Sequence, residues 1–200
     1  MDFTKLIHLN IQPKTILDIG ANIGEFSCLA SMIWPNAYIF SIEANPHCEQ
    51  YLKLNIKNPY LIQALSNENK TNVPFYTTKL DSINTGNSLY RETSSDLYND
   101  ENCVIEYITT IKLDDLFNKT FDLIKIDTQA SELDIIKGGI NLVKKSKWVL
   151  LEASIVSCNE NSILIDDVIK YMMDIGFDSG TDIEDLIQQK DILFTNLNNI

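Results

Sequence analysis

Short apolar runs, most of them closed by an acid, alternate along this chain with segments whose apolar residues recur at helical spacing. Thr15–Ile19, Ala37–Ile42, Tyr60–Ala64, Phe121–Asp127 and Trp148–Glu152 read as strands, with the near-continuous apolar character that parallel strands buried on both faces require. Between the first two, Phe26, Leu29, Ala30 and Ile33 fall on one helix face ahead of Pro35. Leu164, Val168, Tyr171, Met172 and Ile175 mark another face that ends at Gly176. Asn45 and Pro46 suit the N-cap and first turn of a helix reaching about Ile56. Ser131, with Asp134 after it, caps a further helix that weakens at Gly138 and Gly139. Phe3–Leu9 and Leu113–Phe117 are expected as short helices, Phe177–Ser179 and Asp191–Thr195 as short strands, and Thr71–Thr78 and Cys103–Ile111 as a paired ribbon. Strands alternating with helices predict the α/β class: one domain over residues 1–200, built on a doubly wound, mostly parallel sheet with helices on both faces.

The first strand runs into T-I-L-D-I-G-A-N-I-G-E-F, where the chain must turn tightly and enter a helix. Gly20 and Gly24 permit that turn and a close approach of backbone to ligand. Ligands of open parallel sheets bind at the carboxyl ends of the strands, so the turn borders the expected crevice. Asn22 stands where the dinucleotide fingerprint G-x-G-x-x-G has its second glycine, and Asp18 would face a pyrophosphate unfavourably. The same carboxylate suits the ammonium and sulfonium groups of S-adenosylmethionine. Glu43, closing the second strand in Y-I-F-S-I-E-A-N-P, is placed for the ribose hydroxyls. An NAD-dependent reductase is disfavoured on these grounds and by the lack of a Tyr-x-x-x-Lys pair.

Net charge of −12 opposes binding to a phosphate backbone, so no nucleic-acid partner is expected. Cys28, Cys48, Cys103 and Cys158 are widely spaced, with no C-x-x-C pair, and read as free thiols in a reducing, cytoplasmic setting with no zinc site. No apolar stretch approaches the roughly 20 residues that span a bilayer, and no signal-peptide pattern opens the chain, so no membrane partner is expected. No H-x-x-x-H or H-x-D cluster suggests a metal, although carboxylates alone could still bind magnesium.

Asp18, Glu43, Asp127 and Glu152 each close an apolar run, and in one parallel sheet all four carboxylates would border one crevice. Lys125 shares a face with Asp127, which allows a structural ion pair as well as a reaction centre. Methyl transfer onto an alcohol needs alignment and a base or a metal to take up the proton. Asp127 is the first candidate, with Glu132 and Glu152 behind it; His8 and His47 are expected to be surface or packing residues. Lys79–Asn102 lacks periodicity and is the longest loop, with Gly86–Tyr90 at its centre either a lid over the cofactor or a surface insertion.

With these residues in place, the chain resembles the FkbM family of S-adenosylmethionine-dependent methyltransferases over about residues 14 to 195. The most specific stretch is F-D-L-I-K-I-D-T-Q-A-S-E-L-D-I-I-K-G-G, Phe121 to Gly139. L-D-I-G-A-N-I-G-E-F-S, E-A-N-P, A-L-S-N, G-N-S-L, T-I-K-L-D-D-L, V-L-L-E and D-I-L-F follow in the family's order. The resemblance implies a Rossmann-like class I methyltransferase fold and O-methylation of a sugar, glycan or other small hydroxylated acceptor. It further implies that Asp18, Gly20, Asn22 and Glu43 bind the cofactor, with Gly24 and Ala44 in the same two turns. Ala64 and Leu65 would then border its adenine, and Asp127 the transfer site. Ala130 stands where the family often has glycine; a positive φ there would cost on the order of 1 kcal/mol and bear on Asp127. A degenerate methyltransferase that binds without turnover is the competing expectation.

Overall fold

The computed structural model describes residues 7–160, 163–185 and 189–199. Its strands are β1 (Thr15–Ile19), β2 (Tyr38–Glu43), β3 (Tyr60–Ile62), β4 (Ala64–Leu65), β5 (Lys70–Thr78), β6 (Cys103–Ile111), β7 (Leu123–Ile126), β8 (Trp148–Ser154), β9 (Thr181–Asp185) and β10 (Gln189–Thr195). The helices are α1 (Glu25–Ile33), α2 (Glu49–Asn55), α3 (Leu113–Leu116), α4 (Glu132–Gly138), α5 (Ile140–Val143) and α6 (Ile165–Asp174). Seven strands make the main sheet in the order β3-β2-β1-β7-β8-β10-β9. The first five are parallel, and β10 runs antiparallel to β8 and β9. A smaller sheet, β4-β6-β5, carries the expected ribbon as the antiparallel pair β5 and β6.

Alternation along the strands divides the core between two faces. Leu17, Ile19, Ile124, Ile126, Val149 and Leu151 pack against Ile135, Ile136, Val168 and Met172 of α4 and α6. Ile16, Ile39, Leu123, Leu150 and Leu193 meet Phe26, Ala30 and Trp34 on and after α1. α1 departs from its sequence pattern: Leu29 is exposed, and the face turned inward is Phe26, Ser27 and Ala30. The Ser27 hydroxyl is drawn in because it donates to Asp18 Oδ2 at 2.7 Å. Among the described residues no helix is long and apolar enough to cross a membrane.

Other boundaries moved for identifiable reasons. Asn45 Oδ1 accepts from His47 N, as an N-cap should, but the first turn, Pro46–Cys48, is a 3-10 helix before α2 begins. The Tyr60–Ala64 strand splits at Gln63, whose side chain donates to Thr109 O of β6, so Ala64 and Leu65 join the smaller sheet. Ser131 makes no N-cap hydrogen bond; its hydroxyl donates to Thr128 O across a left-handed turn. Phe177–Ser179 is not a strand, because Asp178 Oδ1 accepts from Gly180 N and Thr195 N and closes a turn. The expected Phe3–Leu9 helix falls largely outside the described residues.

Candidate active site

Strand register builds the site. Ser41, Asp18, Lys125 and Leu150 form a row across β2, β1, β7 and β8. Two residues further on lie Glu43, Gly20, Asp127 and Glu152, with Asp191 of β10 paired to Glu152. Both rows share the α1 face, so the second row forms the rim and the first lies beneath it.

A cavity of about 650 Å³, counting the space open to solvent, lies at this rim. Gly20, Asn22, Glu43, Ala44, Ala64, Leu65 and Asp127, all expected from sequence, line it. Its lining combines the apolar side chains of Ile42, Leu65, Phe75 and Ile135 with the carboxylates of Glu43 and Asp127. Gly20 is required on steric grounds: at φ +77°, an added Cβ would lie 1.8 Å from Asp127 O. Asn22 takes φ +48°, the left-handed conformation that asparagine tolerates in place of glycine. Its backbone N–H donates to Glu43 Oε2 and that of Asn45 to Glu43 Oε1, each at 2.7 Å. Burial raises the Glu43 carboxyl above its ordinary value despite those two bonds.

Four of the expected residues, Asp18, Gly24, Glu132 and Glu152, do not line this cavity. Asp18 does not line the cavity: it is fully buried one row below the rim, with Ser27 on Oδ2 and Lys125 Nζ 3.4 Å from Oδ1. Lys125 is buried too, 3.3 Å from Asp127 Oδ2 and donating to Gly20 O at 3.0 Å. Burial opposes its charge, but Asp127 and Asp18 outweigh burial and hold it above the usual lysine range. Gly24 enters α1 at φ +93° against Ile56 and makes no part of the cavity wall. Glu132 is turned away from the cavity, its Oε1 accepting from Thr128 N at 2.8 Å and Thr128 Oγ1 at 3.2 Å. Burial pushes its carboxyl up to about 7.

Asp127 and Glu152 stand side by side at the rim. Gln129 Nε2 bridges them, 3.3 Å from Asp127 Oδ1 and 2.6 Å from Glu152 Oε2, and Gln189 Nε2 donates to Gln129 Oε1 at 3.1 Å. Burial, and then the Asp127 carboxylate, hold Glu152 well above the ordinary carboxyl range. Gln129 and Ala130 adopt φ +55° and +82°, so the turn after β7 keeps its left-handed form without the glycine. Neither glutamine was anticipated; K-I-D-T-Q marked Gln129 only as a motif position, and Gln189 has no local signal.

The long loop folds over the cavity. Asn84, Thr85, Asn87, Ser88 and Leu89 line it. Asn22 Nδ2 donates to Ile83 O, Asn45 Nδ2 to Ser82 O, and Ser88 Oγ to Thr128 O and Gln129 O. His47 is half-exposed and lies 2.8 Å from Glu106 Oε1, outside the site. Among the described residues no group of three or more His, Cys, Asp or Glu side chains is arranged to hold a metal ion.

Residues 18–179 match the methyltransferase FkbM domain. No curated protein matches the chain. Among solved structures, a methyltransferase FkbM from Methylobacillus flagellatus KT is similar with a TM-score of 0.61 at 14% identity. That similarity covers 91% of this chain but 43% of the other, so the chain spans less than half of that protein's length. A precorrin-6y C5,15-methyltransferase from Geobacter metallireducens GS-15 has a TM-score of 0.55 at 16% identity, covering 98% of this chain and 87% of that one. A magnesium protoporphyrin IX methyltransferase from Synechocystis PCC 6803, solved with bound S-adenosylmethionine, has 0.53 at 10%, covering 96% and 74%. At these identities the likeness is one of fold, the Rossmann-like class I methyltransferase fold. The domain match, in contrast, spans most of the sequence: the chain belongs to the methyltransferase FkbM family, and family and fold imply S-adenosylmethionine as its methyl donor.

Proposed function

We propose that this protein transfers a methyl group from S-adenosylmethionine to a hydroxyl of a small acceptor such as a sugar or glycan. The observation that carries the reading is the rim row Glu43, Gly20 and Asp127, which sets two carboxylates in one cavity with the apolar side chains of Leu65, Phe75 and Ile135. That combination fits the donor: Leu65, Phe75 and Ile135 suit a flat adenine, Glu43 has spare lone pairs for ribose hydroxyls, and the carboxylates suit a cation. The donor, when bound, supplies an electrophilic methyl carbon on a sulfonium.

The remaining work falls to the chain. The loop residues Asn84–Leu89 cover the cavity and exclude water, which favours alignment of the two reactants. Asp127, held from below by Lys125, faces the cavity and is the group against which an acceptor hydroxyl is oriented. Asp127 and Glu152 together take up the proton that the hydroxyl loses, a pair of carboxyls bridged by Gln129. Asp18 serves by holding Lys125 instead of touching the ligand. The left-handed turn at Gln129 and Ala130 keeps Asp127 at the rim, which favours turnover over a degenerate site.

Calorimetric titration of S-adenosylhomocysteine into wild type, Glu43→Gln and Gly20→Ala tests the donor half. Binding that both substitutions weaken at least about tenfold supports the site. A folded wild type that binds neither S-adenosylhomocysteine nor S-adenosylmethionine overturns it. Transfer of labelled methyl to hydroxylated acceptors, identified by the alkali stability of the product ether, tests the second half.

A further inference from the structure

A second cavity, about 730 Å³, lies on the far side of Asp127 and Gln129. It shares Asn84, Thr85, Asp127 and Gln129 with the first, so these four side chains form a common wall. Its charged lining groups are all carboxylic, namely Glu92, Asp127 and Glu152, and among the described residues no lysine, arginine or histidine lines it. Lys125 is buried behind Asp127 and paired with Asp18 as well, and Arg91, next to Glu92, donates to Tyr98 O and Asp100 Oδ1. Neutral hydrogen-bonding groups complete the wall: Ser94, Asn159, Gln129 and Gln189.

Glu92 differs from the other two acids. Asp127 is tied to Lys125 and Gln129, and Glu152 to Gln129. Glu92 Oε1 accepts from Ser94 Oγ at 2.7 Å, while Oε2 makes no hydrogen bond among the described residues. It is a half-buried carboxylate with one oxygen left open to the cavity, and among the described residues no basic side chain lines that cavity. An acceptor bearing phosphate or carboxylate would bring like charge against this wall, whereas an ammonium group supplies what Glu92 lacks.

We propose that this second cavity takes a hydroxylated amine as methyl acceptor, with its ammonium group on Glu92 and its reacting hydroxyl against Asp127, and that it rejects anionic acceptors. The inference rests on the reading that the adjoining cavity holds the methyl donor. Wild type and Glu92→Gln, both saturated with S-adenosylhomocysteine, are titrated with glucosamine, glucose and glucose 6-phosphate and followed by NMR at the Thr85 methyl and Gln189 side-chain amide.

Glucosamine should bind about tenfold tighter than glucose, and glucose 6-phosphate should not bind; in Glu92→Gln the advantage of the amine should vanish. Affinity for S-adenosylhomocysteine should be the same in both proteins. Binding of glucose 6-phosphate at those resonances, survival of the amine preference in Glu92→Gln, or no response there to any of the three sugars overturns the assignment. Failure of wild type to bind S-adenosylhomocysteine is a separate result, which brings down the donor reading and this inference with it.

Discussion

Lys125 Nζ stands 3.4 Å from Asp18 Oδ1, deep in the sheet, so the buried acid of β1 holds a lysine and that lysine holds Asp127 at the cavity rim. Both side chains are almost wholly removed from solvent. In such a setting neither charge is stable without the other, because the desolvation cost of each is met by the partner and by the Ser27 and Gly20 bonds.

Lys125→Met should therefore destabilise the fold by about 3–5 kcal/mol, the usual cost of leaving one member of a buried pair uncompensated. The decisive comparison is the sign of Asp18→Asn. In wild type that change should destabilise, and in the Lys125→Met background it should stabilise. Urea melts of the four proteins measure both; an Asp18→Asn effect of the same sign in the two backgrounds would refute the coupling.

Ala130 sits at φ +82°, where the Cβ clashes with the backbone. Ala130→Gly should relieve that strain and raise stability by about 1 kcal/mol, or roughly 2–4 °C in melting temperature for a chain of this size. A melting curve checks it, and no gain would mean the turn relaxes at no cost.

Much of this arrangement could be read from the chain alone, and the errors are instructive. The apolar runs identified the parallel strands because burial on both faces leaves no other composition. Glu43 and Asp127 reached the cavity because each stands just at or past the last paired residue of its strand. Asp18 looked equivalent, yet it precedes the last residue of β1, and only pairing with Ser41 and Lys125 reveals that it lies one row deeper. The Gln189 to Gln129 contact joins residues 60 positions apart and leaves no periodic trace. The loop over the cavity was aperiodic for a similar reason: it is held by side chains of Asn22, Asn45 and Ser88 bonding to backbone, not by an apolar face.

Ser88 ties that loop to the turn after β7 through two backbone carbonyls. Ser88→Ala should free the loop without touching the core, at a stability cost of about 1 kcal/mol. Faster dissociation of S-adenosylhomocysteine in stopped flow and earlier proteolysis within residues 81–92 are the expected signs. Unchanged dissociation would mean that the loop does not gate the cavity.

Glu132 offers a pH test, since burial lifts its carboxyl to about 7 from an unfolded value near 4.5. A folded value above the unfolded one means that the native state binds the proton more tightly. The stabilisation is thus fully present below about 4.5 and lost as pH rises through about 7. Glu132→Gln lacks this titration, so wild type should lose on the order of 3 kcal/mol relative to the variant between pH 4.5 and 8. Urea melts at both pH values read the difference, and parallel curves would show that Glu132 is not protonated in the native state.

Gln129 gives the sharpest test of the carboxyl pair. Its Nε2–H donates to Glu152 Oε2 and lies within reach of Asp127 Oδ1, an arrangement that favours the ionised form of Glu152 against burial. If the ionised pair accepts the proton of the acceptor hydroxyl, the rate should rise with pH as Glu152 loses its own proton. Replacing the amide by the similar-sized apolar side chain in Gln129→Leu removes the donor, so Glu152 should hold its proton to still higher pH. A hydrogen bond to a charged group is worth about 1.5–3 kcal/mol, which corresponds to an upward shift of roughly one to two pH units in the limb of the kcat profile. At neutral pH the rate should then fall about tenfold or more, and it should recover toward wild type as the medium is made alkaline. A purely structural role predicts a loss of equal size at every pH, so the shape of the profile, not the size of the loss, decides whether Asp127 and Glu152 act together as the base.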